Sequence, residues 1–197
     1  MSQTFVVAAI HKYLKQKERS IAMTIVARIH AGIVPMVRPM DEIIDRVFLG
    51  DEDDARNGAR LNEKGIRAII NCTTRVENHF ERQGIAYLRL MLEETSHITP
   101  AIAASVHEFV QEHRPRHGIL VHCAEGVQRS PSIVILILIQ DRFSIFDAFE
   151  LVEKKCRWPI LPAFEMLASI ARLDLNGEHV DEAAVKQYYW ERFRLRY

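Results

Sequence analysis

His122 and Cys123 are followed, after five intervening residues, by Arg129 and Ser130, in the run VHCAEGVQRSP at 121–131. A thiol at the head of a short glycine-bearing loop that ends in arginine suggests anion chemistry. A loop between a strand and a helix turns its backbone N–H groups inward, and the helix adds partial positive charge. Here the cradle would be built from Ala124, Glu125, Gly126, Val127 and Gln128, with Gly126 permitting a turn that a side chain would hinder. Arg129 supplies a planar fork that grips two oxygens of a phosphate. Cys123 would sit under the same field and is expected to titrate well below its free value of ~8.5. That gives a nucleophile already charged at neutral pH, facing a phosphorus held by amides and arginine. Ser130 is placed to donate to the sulfur and ease its departure. His122 is read as bracing the loop through its ring nitrogens, since a thiolate needs no base. The plain alternative is a packed cysteine in an ordinary turn.

The surrounding pattern supplies the strand and the helix. HGILVHC reads as a buried strand, and Pro131 followed by IVILILI (133–139) reads as the first turn and body of a buried helix. Upstream, IIDRVFLG reads as a strand ending at Gly50, and DEDDARNGARLNEKG as a polar helix closed by Gly65. IRAIINCT and IAYLRLML read as further strands. Thr99 and Pro100 form an N-cap and first position for AIAASVHEFVQEHR. SIFD at 144–147 resembles a capping box before AFELVEKKC. Strands alternate with helices early and four helices close the chain. The expected fold is therefore α/β, a central mixed sheet flanked by helices. Pro35 and Pro39 mark a boundary near residue 40. The expected parts are a basic helical extension over 1–40, a catalytic domain over 41–176 and a C-terminal helix over 177–197 that packs on the core.

The chain of 197 residues carries a formal net charge of zero, so no overall field draws it to nucleic acid. Its three cysteines, Cys72, Cys123 and Cys156, show no disulfide framework or CxxC pair. They suggest a reduced, intracellular setting and no metal site. No membrane span is expected. Lys12, Lys15, Lys17, Arg19, Arg28 and Arg38 face a single acid, Glu18, in the first forty residues. This leaves two readings of that segment: an extra helix on a cytoplasmic protein, or an organelle (mitochondrial) presequence or membrane-surface helix.

HCAEGVQRSP resembles the His-Cys-x5-Arg-Ser loop of the protein tyrosine phosphatase superfamily. Within it, the chain is most similar to the dual-specificity phosphatases of the vaccinia H1-related type. The likeness runs over roughly residues 41–175 and takes in VFLGDEDDARN…GIRAIINCT, IAYLRLMLEE and CRWPILPAFEML. It implies that fold and a phosphomonoesterase acting on phosphotyrosine and phosphoserine or phosphothreonine in proteins. The reaction would pass through a phosphocysteine, without metal or cofactor. The family protonates the leaving oxygen with an aspartate about thirty residues before the cysteine. Here LMLEETSHI has none. Glu94 falls on that position, with Glu93 second and His97 nearby. Ala163 stands where relatives often carry an asparagine that ties the segment to the loop. Glu125 is expected to shape the rim, favouring substrates with basic neighbours or holding Arg75 or Arg89. Cys72 matches a place where some relatives form a reversible disulfide with the nucleophile, and otherwise is an inert strand cysteine. Cys156 is read as packing. Two other functions compete: a binding-only module crippled by the missing aspartate, and a phospholipid phosphatase. AEGVQ lacks the basic residues that extra phosphates would call for.

Overall fold

The structure, a computed structural model, describes residues 40–173, 175 and 180–194. The expected basic extension lies outside the described residues. Five strands form one mixed sheet: β1 (Asp41–Ile44), β2 (Val47–Gly50), β3 (Ile66–Asn71), β4 (Ala86–Arg89) and β5 (Gly118–His122). Their order is β1-β2-β5-β3-β4, antiparallel only between β1 and β2. The centre is β5 and β3, and Ile119, Leu120, Val121, Ile69 and Ile70 are fully buried. Continuous aliphatic runs of this kind suit strands covered on both faces.

IIDRVFLG is two strands, not one. The chain reverses at Asp45–Arg46, where Arg46 takes φ +61° and its amide donates to Glu42 Oε1 at 3.1 Å. DEDDARNGARLNEKG is likewise two short helices, α1 (Glu52–Arg56) and α2 (Gly58–Glu63). Asn57 separates them, leaving helical geometry and capping α2 through its side chain. β4 is shorter than IAYLRLML suggests. Leu90 still donates to Asn71 O at 2.9 Å, but Met91 then turns to φ +53° and the chain leaves the sheet.

Thr99 caps α3 (Pro100–His113), its hydroxyl accepting from the Ile102 amide. Helix α4 (Arg129–Gln140) is buried at every position from Ser130 to Ile139. A helix apolar all round belongs inside a core, and α4 is packed by β2, β5, α3, α5 (Ile145–Lys155) and α6 (Phe164–Ala171). Ser144 caps α5 by accepting from the Asp147 amide. The C-terminal helix α7 (Glu182–Arg194) packs on α6 through buried Val185 and Tyr189. No helix among the described residues is long and apolar enough to cross a membrane. Parallel strands place their carboxyl ends together, the usual location of a ligand site in such sheets. β2, β5 and β3 therefore bring Gly50–Asp51, Cys123 and Cys72 to one edge of the molecule.

Candidate active site

β5 ends at His122, the loop occupies 123–128, and α4 opens at Arg129. Cys123 is buried at its floor, and the Ser130 hydroxyl donates to its sulfur at 3.2 Å. Four of the loop's six carbonyls are held by groups around it. His122 Nδ1 donates to Cys123 O at 3.2 Å, Glu52 N to Ala124 O at 3.1 Å and Leu161 N to Val127 O at 2.8 Å. Ser132 holds Gln128 O through both its hydroxyl and its amide. Gly126 takes φ +66° against β2, where an added Cβ would lie 2.9 Å from Gly50 O. No side chain caps α4, and Pro131 has no N–H, so the amides of Arg129 and Ser130 are the ones its first turn can offer to an anion.

A carbonyl can only accept, so His122 carries its proton on Nδ1. Burial pushes this imidazole down to about 4, which keeps it neutral at neutral pH. Its Nε2 is buried without a partner among the described residues. The bracing therefore runs through one ring nitrogen rather than both.

Arg129 Nη1 donates to Leu92 O at 3.3 Å, which draws the loop between β4 and α3 to the anion cradle. That loop is pinned by buried Leu92 and Ile98, the latter donating from its amide to Ser169 Oγ. Between the pins, residues 93–97 project outward. Glu93 accepts from Thr74 Oγ1 at 3.0 Å, and its amide donates to Ser96 Oγ. Glu94 and His97 are exposed. Glu125 is exposed on the β2 side, lining a cleft with Asp41, Asp51, Asp54 and Trp158. Arg89 lies on the β3–β4 side, donating to Thr73 O and Thr74 O.

Cys72 follows β3 and is fully buried. Its amide donates to His122 O, so it stands beside Cys123 in register. Burial pushes its thiol well up, and the charge of Cys123 pushes it the same way. Cys156 ends α5 as its C-cap rather than lying within it, half-buried, its thiol pushed up to about 12 by burial. At Ala163 the segment is tied through backbone amides: Ala163 N donates to Ser132 Oγ, and Leu161 N donates to Val127 O.

Four participants escape the sequence reading: Ser132, the Leu92 carbonyl, the Leu161 amide and the Gly50–Glu52 backbone. Ser132 alone leaves a trace, as a polar residue beside a wholly aliphatic run. Residues 47–174 match the family described as "Dual specificity phosphatase, catalytic domain".

The chain belongs to the dual specificity phosphatase family.

Similar curated family members include dual specificity protein phosphatase 9 of Homo sapiens. It is 30% identical over 134 residues, covering 66% of this chain and 34% of that protein. Dual specificity protein phosphatase 26 of Rattus norvegicus is 31% identical over 146 residues, covering 68% of this chain and 66% of that protein. The chain thus spans about a third of the length of the first curated relatives it matches. Among solved structures, the human tyrosine phosphatase-like serine/threonine/tyrosine-interacting protein is similar with TM-score 0.63 at 24% identity. That alignment covers 70% of this chain and 97% of the other. Likeness at this identity speaks for the phosphatase fold.

Proposed function

We propose that this protein is a cysteine-based phosphatase that hydrolyses phosphotyrosine and phosphoserine or phosphothreonine in protein substrates. The observation that carries the reading is the 3.2 Å contact from Ser130 Oγ to Cys123 Sγ beneath a loop four of whose carbonyls are held by groups around it. Carbonyls held in this way leave the amides facing the space above the sulfur, where with Arg129 they bind the phosphoryl oxygens. Cys123 attacks phosphorus as a thiolate and the bond to the substrate oxygen breaks. Glu94 gives that oxygen its proton. In the second step Glu94, now a carboxylate, takes a proton from water as the water attacks phosphorus. The sulfur leaves while accepting the Ser130 hydrogen bond. His122, Ala124, Glu125, Gly126, Val127 and Gln128 shape the cradle. No step uses a metal or cofactor.

Cys72 is proposed as a protective partner. A peroxide oxidises the Cys123 thiolate to a sulfenic acid, the Cys72 thiol displaces water from it, and a disulfide forms. Neighbouring strands put such residues ~5 Å apart, within disulfide range. Peroxide-treated protein should yield a Cys72–Cys123 linked peptide by mass spectrometry. Its absence contradicts this role.

The function is tested by hydrolysis of a small aryl phosphate without added metal. Cys123→Ser should lose at least about 10³-fold in kcat. Glu94→Gln should lose one limb of the pH profile and roughly 10²-fold on phosphoserine peptides, less on an aryl phosphate whose leaving group needs little protonation. A parent protein that captures phosphopeptides without hydrolysing even the aryl ester is a binding module instead.

A further inference from the structure

On the β2 side the phosphate loop rests on backbone rather than on side chains. Glu52 N holds Ala124 O at 3.1 Å, and Gly126 lies so close to Gly50 that a Cβ would reach its carbonyl oxygen at 2.9 Å. A seat of this kind is only as fixed as the turn that carries it. That turn, 50–54, is closed by a reciprocal cap. Asp51 Oδ1 accepts from the amides of Asp53 and Asp54, while Asp54 Oδ2 accepts from Asp51 N at 3.3 Å. Asp54 also fills the space beside Gly50, where an added Cβ would meet its Oδ2 at 2.7 Å. Its other oxygen, Oδ1, accepts from Arg60 Nη1 of α2 at 2.5 Å. Asp54 is 1% exposed, whereas Asp51 and Glu52 of the same turn are half-buried and Asp53 is exposed.

We propose that Asp54, clamped by Arg60, is a positioning residue for the phosphate loop, setting the seat at Gly50–Glu52 on which Ala124 and Gly126 rest. The inference rests on the cysteine-phosphatase reading of that loop. Both carboxylate oxygens are in use, one on the Asp51 amide and one on the guanidinium. An amide side chain there has a single acceptor and must set a donor against one of them. Retaining a carboxylate here carries a cost. Burial and then the charge of Asp51 raise Asp54 to about 6, and the Arg60 contact only partly offsets this. Asp51 in its own turn and Arg60 from α2 are the charged groups nearest it, and Asp41 of β1 and Glu125 of the loop line the same cleft. A purely structural aspartate would be lost together with stability. A positioning one separates the two.

The experiment compares the parent with Asp54→Asn, reading the rate of Cys123 alkylation by iodoacetamide against pH, by mass spectrometry of the Cys123 peptide. The same proteins are assayed for kcat/KM on an aryl phosphate and for Tm at pH 8. The expected result is an alkylation profile moved towards higher pH and kcat/KM lowered roughly tenfold at pH 8, where Asp54 of the parent is ionised. Tm at pH 8 should be held or raised. Arg60→Gln, which removes the clamp from the more exposed side of the pair, should move the profile the same way and serves if Asp54→Asn does not fold. An unchanged alkylation profile in a folded variant overturns the inference. So does a fall in Tm that accounts for the whole loss of activity. If the parent hydrolyses nothing, the phosphatase reading fails, while the alkylation profile still decides the role of Asp54.

Discussion

Two buried ionisable residues beside the loop respond to acid in opposite senses. His122 has its folded value lowered to about 4 from 6.5, so the unfolded chain binds its proton first. Its contribution is complete above pH 6.5 and is lost as pH falls towards 4. Asp54 is raised to about 6 from 3.8, so the folded state binds its proton first. Its contribution is complete below pH 3.8 and is lost as pH rises through 6. The two oppose each other between pH 4 and 6. Asp54→Asn leaves His122 unopposed, so its stability should fall more steeply than the parent's from pH 7.5 to 5. Urea denaturation at both values reads this, and equal losses in the two proteins would contradict it. Ser130 acts at a different moment. Ser130→Ala removes the donor to a sulfur that departs with negative charge. It should preserve the first turnover and slow the steady state about tenfold or more, visible as a burst of product. A variant slowed equally in both phases would remove this role from Ser130.

The strand–loop–helix unit of β5, the phosphate loop and α4 was legible because its parts are contiguous. Aliphatic runs mark the strand and helix, and Cys123, Gly126, Arg129 and Ser130 each have a chemistry that their type announces. What escaped is made from backbone groups distant in sequence. Leu92 O meets Arg129, Leu161 N meets Val127 O, and Gly50–Glu52 seats the loop. Every residue owns such groups, so no residue type records their use. The β1–β2 hairpin was missed for a related reason: Asp45–Arg46 carries no glycine, and Arg46 adopts positive φ at its own cost. Gly126→Ala tests the seat from the loop's side. A Cβ there combines φ +66° with a 2.9 Å approach to Gly50 O, so the loop must lift. The expected outcome is a loss of about 1–3 kcal/mol in stability and a large fall in kcat/KM, read by denaturation and aryl phosphate hydrolysis. A variant with the parent's kinetics would show that this contact does not shape the cradle.

The C-terminal helix α7 packs on α6 and reaches α5. Tyr189 is buried on α7 against Phe164 of α6, with ring centroids 5.5 Å apart. Arg192 reaches α5, pairing with Glu153 at 2.7 Å and Glu150 at 3.1 Å. Removing a buried aromatic ring leaves a cavity, so Tyr189→Ala should cost about 3–5 kcal/mol of stability. The substitution lies outside the site, so kcat of the remaining folded protein should be retained. Chemical denaturation and active-site titration separate these effects, and a stability loss well under 1 kcal/mol would mean that α7 contributes little. The whole molecule thus presents one reacting sulfur at the carboxyl edge of a parallel sheet, backed by a helix buried on every side. The most direct test of that account is a rapid acid quench during turnover of a phosphopeptide, followed by mass spectrometry of the peptide containing Cys123. The account predicts one added phosphoryl group on Cys123, enriched in Ser130→Ala and absent in Cys123→Ser, which should release no phosphate. Substrate consumed with Cys123 unmodified, or turnover surviving in Cys123→Ser, would contradict it.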